Sequence, residues 1–156
     1  MTVVNCELAG NSAHANRSDA EGGAIYVADS QLTLTNCALV DNQATTSNGT
    51  LSQPANAFGG GMYVASGVVT VTNCEIARNL AQASGVGDAF GGGMYIAGGT
   101  VSLVNCHVFQ NAAIASFGNG IGGGIYVAAG ILSINPSTDI EDNFASTSDP
   151  DLFIAP

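Results

Sequence analysis

The chain has 156 residues, and its two basic residues, Arg17 and Arg78, face twelve acidic ones for a formal charge of −10. Phosphate binding needs clustered Lys or Arg, so nucleic acid is excluded as a partner and anionic membrane surfaces are disfavoured. Only 9% of the residues are charged while 46% are hydrophobic, too apolar for disorder and too poor in charge for an ordinary globule, which points to a regular, ladder-like structure in one domain.

The start, Met1-Thr2-Val3-Val4-Asn5-Cys6, has neither the basic nor the apolar segment of a signal peptide. No apolar run approaches the roughly 20 residues of a membrane-spanning helix, so no membrane insertion is expected. From there the chain repeats itself. Each copy has Gly-Gly-x-(Ile/Met)-Tyr, a polar gap, an alternating apolar stretch ending in Asn-Cys, and a closing Asn. The tyrosines Tyr26, Tyr63, Tyr95 and Tyr126 are 37, 32 and 31 residues apart, and Cys6, Cys37, Cys74 and Cys106 are 31, 37 and 32 apart. From each Tyr to its closing Asn (Asn42, Asn79, Asn111) is 16 residues, and 17 in the last copy at Asn143. One part of the unit is therefore of fixed geometry, and the length variation falls between that Asn and the next Gly-Gly.

In chain order, the period-two stretches Leu32–Thr35, Val69–Thr72, Val101–Val104 and Leu132–Ile134 predict strands with one buried face. The Ile/Met-Tyr-Val segments predict a second strand, with Ile25, Met62, Met94 and Ile125 inward and the tyrosines outward. Leu39–Asn42 and Ile76–Asn79 predict a third. Three short strands in about 31 residues without a helix make one coil of a parallel β-solenoid, each strand pairing with its copy in the next coil. The Gly runs mark the turn into the coil. The closing asparagines, Asn11, Asn42, Asn79 and Asn111, and the four cysteines are expected to form ladders along the axis. Residues 12–21, 43–58, 80–90 and 112–121 are expected to be free loops projecting from one edge. The chain begins inside a coil, residues 131–156 form a degenerate last coil, and Asp149–Ile154 is a worn Gly-Gly-x-Ile-Tyr-Val that caps the stack.

Gly22-Gly23-Ala24-Ile25 and the closing elements Leu8–Asn11, Leu39–Asn42, Ile76–Asn79 and Val108–Asn111 resemble the GGA(I/L/V) and FxxN repeats of polymorphic outer membrane proteins, with an aliphatic in place of Phe. Related adhesin-like proteins share their right-handed parallel β-helix of the pectin-lyase-like fold. The resemblance spans nearly the whole chain. It implies about four and a half coils, a place in a larger secreted or surface protein, and a scaffold that hosts adhesins, lyases or passive fibres.

Chemistry is sparse. With no CxxC and only His14 and His107, the cysteines read as buried, reduced thiols rather than zinc ligands or disulfides, and no metal or cofactor is expected. Glu7, Glu75, His107 and Asp139 share one outward row, and Asp41, Arg78, Gln110 and Asp142 another. Ala38 and Arg78 interrupt the carboxylate pairs that a glycosidase would need, and an Asp41–Arg78 contact is expected. The outward tyrosine row is the leading binding candidate, its rings suited to sugars or a partner surface unless they only stack on one another. Outward Thr33, Thr70, Ser102 and Ser133 sit beside Thr35, Thr72 and Val104, a flat Thr-x-Thr array that could bind ice and of which only two coils carry the full pair. Asn16-Arg17-Ser18 and Asn48-Gly49-Thr50 match the glycosylation acceptor pattern. The expected function is a non-enzymatic extracellular or cell-surface scaffold that binds a glycan or protein through its loops and Tyr face. A polysaccharide lyase or hydrolase is the first alternative and an ice-binding module the second. Open coil ends predict self-association or docking of neighbouring domains.

Overall fold

The computed structural model describes residues 1–156 and contains no helix. It is an all-β parallel β-helix, one continuous stack in which every strand pairs in parallel with its equivalent one coil away. The register follows the repeat without a slip: Tyr26 pairs with Tyr63, Tyr63 with Tyr95 and Tyr95 with Tyr126. A one-residue slip would exchange the inward and outward faces of a strand, so the alternating apolar pattern enforces this register.

Each coil holds five strand positions rather than the three expected. The first sheet stacks Thr2–Val4, Ser30–Thr35, Gly67–Thr72, Thr100–Val104 and Ile131–Ile134. The second stacks Glu7–Ala9, Ala38–Val40, Glu75–Ala77, His107–Phe109 and Asp139–Glu141, and the fifth carries the tyrosines and ends on Leu152–Ile154. The two additional sheets lie in the segments expected to be free loops. Ser12–Asn16, Gln43–Ser47, Leu80–Ala83, Ala112–Ala115 and Phe144–Ala145 form the third sheet, and two-residue strands at Ala20, Ala57, Ala89 and Gly120 open the fourth. The physical reason is a second, small-residue core. Ala57, Ala81, Ala83, Ala89 and Ala113 pack together fully buried, because a methyl-sized side chain lets the two strand layers approach closely. Only the tips project, and Leu51 and Phe117 on them are 91% and 77% exposed.

The main core runs down the axis as stacked rows. Met62, Met94 and Ile125 form one, Leu34, Val71 and Leu103 another, and Leu39, Ile76 and Val108 a third, all fully buried. The glycine run is needed for two separate reasons. Its first member has a positive φ (Gly59 +61°, Gly91 +63°), and Asp149 holds the same conformation, φ +52°, in the last coil. A Cβ on the second member, Gly60, would collide with the carbonyl oxygen of Gly92 and the carbonyl carbon of Leu80, a backbone clash that leaves only hydrogen. Leu152, Phe153 and Ile154 pair with Ile125, Tyr126 and Val127, so the worn final copy does complete the fifth sheet.

Candidate functional surface

The polar side chains are organised as rows along the axis. The closing asparagines form a buried amide ladder. The Nδ2 groups of Asn11, Asn42, Asn79 and Asn111 each donate 2.9 Å to Oδ1 of the next Asn, and each Oδ1 also accepts the backbone N–H of the residue below. The spare amide hydrogen of Asn42, Asn79 and Asn111 goes to the carbonyls of Leu8, Leu39 and Ile76. Asn42, Asn79 and Asn111 are buried at 0–1% exposure, whereas Asn11 lies on the exposed first coil. At the other end Asn143 donates to Asp151 at 3.0 Å. Asp151 follows Pro150 in the position that Gly124 holds one coil earlier, since Ile125 N–H donates to its carbonyl as Met94 N–H does to that of Gly124. Its carboxylate thus stands where a sixth asparagine would, and having no N–H it ends the ladder.

A second ladder was not read from the sequence as such. Asn5, Asn36, Asn73 and Asn105, the residues before each Cys, all have φ near +53° and link side chain to side chain at 2.9–3.1 Å on the exposed surface. Asn tolerates this left-handed corner because its short polar side chain is compatible with αL backbone. Beneath it, Cys37, Cys74 and Cys106 are buried and free while Cys6, in the first coil, is exposed. Each thiol donates to the carbonyl two residues back, 3.2 Å for Cys37 and 3.1 Å for Cys74. Burial pushes the Cys74 thiol up to about 11 and that of Cys106 upward as well. In the last coil Thr138 replaces the thiol, and its Oγ1 accepts the Cys106 N–H at 3.1 Å as Cys74 Sγ accepts that of Cys37 at 3.3 Å.

A third row was missed. Asp19, Asn56, Asp88 and Asn119 precede the fourth sheet, and each side-chain oxygen of the first three accepts the backbone N–H one coil on, at 2.7–2.8 Å. Its signal was visible as an Asp or Asn followed by Ala or Gly three residues before every Gly-Gly: Asp19-Ala20, Asn56-Ala57, Asp88-Ala89 and Asn119-Gly120.

The tyrosines stack as a column, with ring centroids 5.1–5.3 Å apart and planes within 12°, and Phe153 extends it at 4.8 Å. Phe58 and Phe90 from the fourth sheet lean against it, 4.7 Å from Tyr95 and Tyr126 respectively. The ring faces of the inner members are therefore consumed by one another, each stack contributing about 0.5–1.5 kcal/mol beyond burial. Edges and hydroxyls face outward, and Tyr26, 53% exposed, ends the column beside a cavity of about 340 Å³ at the open first coil. Burial, and then the Glu21 carboxylate, raises Tyr63 to about 12, and Glu21 itself is raised by burial and by Asp19.

The ion-paired residues lie elsewhere, on and beside the second sheet. Arg78 pairs with Asp41 through Nε at 3.0 Å and through its second nitrogen at 3.3 Å, as expected. His107 pairs with Glu141 at 3.2 Å and stacks on Phe109 at 4.1 Å. A shallow polar groove of about 350 Å³ holds Glu75, His107 and Asp139 in one row above Cys74 and Cys106. His14 bonds Thr45 at 3.0 Å on the third sheet, not on the second sheet that carries these groups. Both sequons are exposed, and Asn48 Nδ2 donates to Asn16 Oδ1 at 3.0 Å, so each occupies its neighbour.

The outward face of the first sheet differs from the others. Thr2, Thr33, Thr70, Ser102 and Ser133 form an unbroken hydroxyl row across all five coils. Val4, Thr35, Thr72 and Val104 flank it on one side and Gln31, Val68, Thr100 and Ile131 on the other, without a charged side chain, and the charged Met1 ammonium at its border donates to the Gln31 carbonyl at 2.7 Å.

Fold and surface together define a class, the all-β parallel solenoid whose polar groups run in coil-to-coil rows. Beyond that class, comparison with family models, curated proteins and solved structures yields no match.

Proposed function

We propose that the protein is a non-enzymatic structural or adhesin-type β-helix of the cell surface or extracellular space, which meets a glycan or protein through its projecting edge. The observation that carries this reading is the use of the polar side chains. The asparagines, the thiols and the Asx row are spent on coil-to-coil bonds, and no buried side-chain polar atom lacks a partner. Contact chemistry is thereby left to the loop tips, where Leu51 and Phe117 are exposed, and to the outer edge of the tyrosine column. Exposed apolar groups rimmed by polar ones are the usual anchors of such contacts. The test is a glycan-array and cell-binding screen of the whole chain against a Leu51→Ser/Phe117→Ser variant and a Tyr26→Ala variant. Retained binding in both would overturn the assignment of the contact surface, and no binding by the unaltered chain would overturn the adhesin reading.

A polysaccharide hydrolase or lyase is the second reading, favoured by the groove in which His107 lies between Glu75 and Asp139. Carboxylates two coils apart stand about 9.6 Å from each other, at the upper limit for an inverting pair. Turnover of an acidic or neutral polysaccharide that disappears in Glu75→Gln and Asp139→Asn would establish it. The open first coil, with Met1 and Tyr26 exposed beside its cavity, supports docking of a further coil or a second copy.

A further inference from the structure

We propose that the outward face of the first sheet binds ice, through an ordered layer of water that its hydroxyl row holds in place. The row is complete: Thr2, Thr33, Thr70, Ser102 and Ser133 occupy the same position in five successive coils and pair in register. Strand spacing sets these hydroxyls about 4.8 Å apart along the axis, and the next outward row lies about 7 Å away across the strand. The result is a two-dimensional lattice fixed by the backbone. Val and Thr at the flanking positions have a stiff χ1, so the methyl and hydroxyl groups are presented in few rotamers.

Several hydroxyls elsewhere in the molecule are engaged, and the free ones, such as Ser18, Ser84 and Ser116, lie outside any such row. Thr46 donates to the Ala55 carbonyl at 2.8 Å, Ser66 to Asp29 at 2.7 Å, Thr138 to Asn135 at 2.8 Å and Ser30 to the Ala28 carbonyl at 2.8 Å. Those of the row bond to no protein group, and since no buried polar side-chain atom is left without a partner, their bonds go to water. Water held at a fixed repeat by unengaged hydroxyls, beside the alkyl groups of Val4, Val68, Val104 and Ile131 that cannot bond it, has already lost much of its orientational freedom. Joining it to an ice surface then costs little further ordering. The absence of charged side chains matters for the same reason, because an ionised side chain would orient a hydration shell incompatible with the lattice. The second sheet, by contrast, carries Glu7, Glu75 and Asp139 in one outward row. This inference is independent of the adhesin reading, which rests on the loop tips.

The test is partition of the 156-residue chain into slowly grown ice, together with inhibition of ice recrystallisation. The unaltered protein is expected to be enriched in the ice and to hold crystals small. A Thr33→Lys/Thr70→Lys variant is expected to lose both effects while its circular dichroism stays unchanged, and Gln43→Lys on the third sheet to keep them. A Thr70→Ser variant, which keeps the hydroxyl and removes a methyl, covers the case in which the double variant does not fold and is expected to retain part of the effect. Exclusion of the unaltered protein from ice, or full activity in the double variant, would overturn the proposal. So would a dimer in sedimentation that the double variant dissolves, because the face would then be an interface between copies.

Discussion

The molecule contains two asparagine ladders of the same residue, the same coil spacing and nearly the same bond lengths, and they differ in what surrounds them. The Asn42–Asn79–Asn111 ladder is buried, and each amide oxygen accepts two bonds while each amide nitrogen donates at least two. The Asn36–Asn73–Asn105 ladder stands in water, with one amide-to-amide bond per coil. Water replaces a lost bond in the second and cannot reach the first, so burial rather than the hydrogen bond itself sets what each ladder contributes. The first holds the coil closed from inside. The second turns a corner that other residues tolerating a left-handed backbone could also turn.

Substitutions can break this comparison, taken from the largest effect to the smallest. Asn79→Leu strands the Asn42 backbone and side-chain donors and the Leu39 carbonyl, and at about 1–3 kcal/mol for each unsatisfied buried group, mitigated by relaxation, a loss of about 3–5 kcal/mol is expected in denaturant unfolding. An effect below about 1 kcal/mol would show that water enters the ladder. Alkaline pH tests the thiol row beneath the exposed ladder. Cys74 is raised to about 11 from an ordinary value of 9.0, so the folded state retains a proton that the unfolded chain releases. Stability should be constant below about pH 9 and fall as the pH rises towards 11, with Tyr63, raised to about 12, adding to the fall above pH 10. Cys74→Ala should flatten the first part of that decline.

Asp151→Ala removes the acceptor that ends the buried ladder, and a loss of about 1–2 kcal/mol is expected, whereas Asp151→Asn retains the acceptor and should unfold close to the unaltered midpoint. Asn73→Ala, in the exposed ladder, should cost about 1 kcal/mol because alanine resists φ near +53°, and Asn73→Gly should fall within about 0.5 kcal/mol of the parent. If Asn73→Gly proved as damaging as Asn79→Leu, the distinction between the two ladders would fail. Labelling with a thiol reagent at pH 8 sharpens it from another side. Cys6 should react at once, and Cys37, Cys74 and Cys106 only on unfolding.

Much of this was legible in the chain. The interval of 16 residues from Tyr to the closing Asn in the first three copies establishes the register, because stacking equal intervals is the only way to superpose every row. The alternation in Val69–Thr72 and its copies states which side chains point inward. Even the worn Leu152-Phe153-Ile154 could be aligned by its apolar pattern, since burial tolerates Phe for Tyr. The loops were misjudged because alanine carries little periodic signal. Ala81 and Ala83 look like any small residues until a second layer is found lying on them. The Tyr row was legible as a row, yet the sequence does not say that Phe58 and Phe90, each five residues upstream of a Tyr, would lean on rings of their neighbouring coils.

What the sequence determined by itself is the coil, since its glycines, alternating aliphatics and asparagines recur at intervals that only a stacked parallel helix can satisfy. The tertiary structure alone decided which of two equally regular asparagine rows is buried, which aromatic faces remain open, and which hydroxyls are left to water. Those are properties of what lies across the coil from a residue, and a local repeat, identical for a buried and an exposed position, holds no record of it.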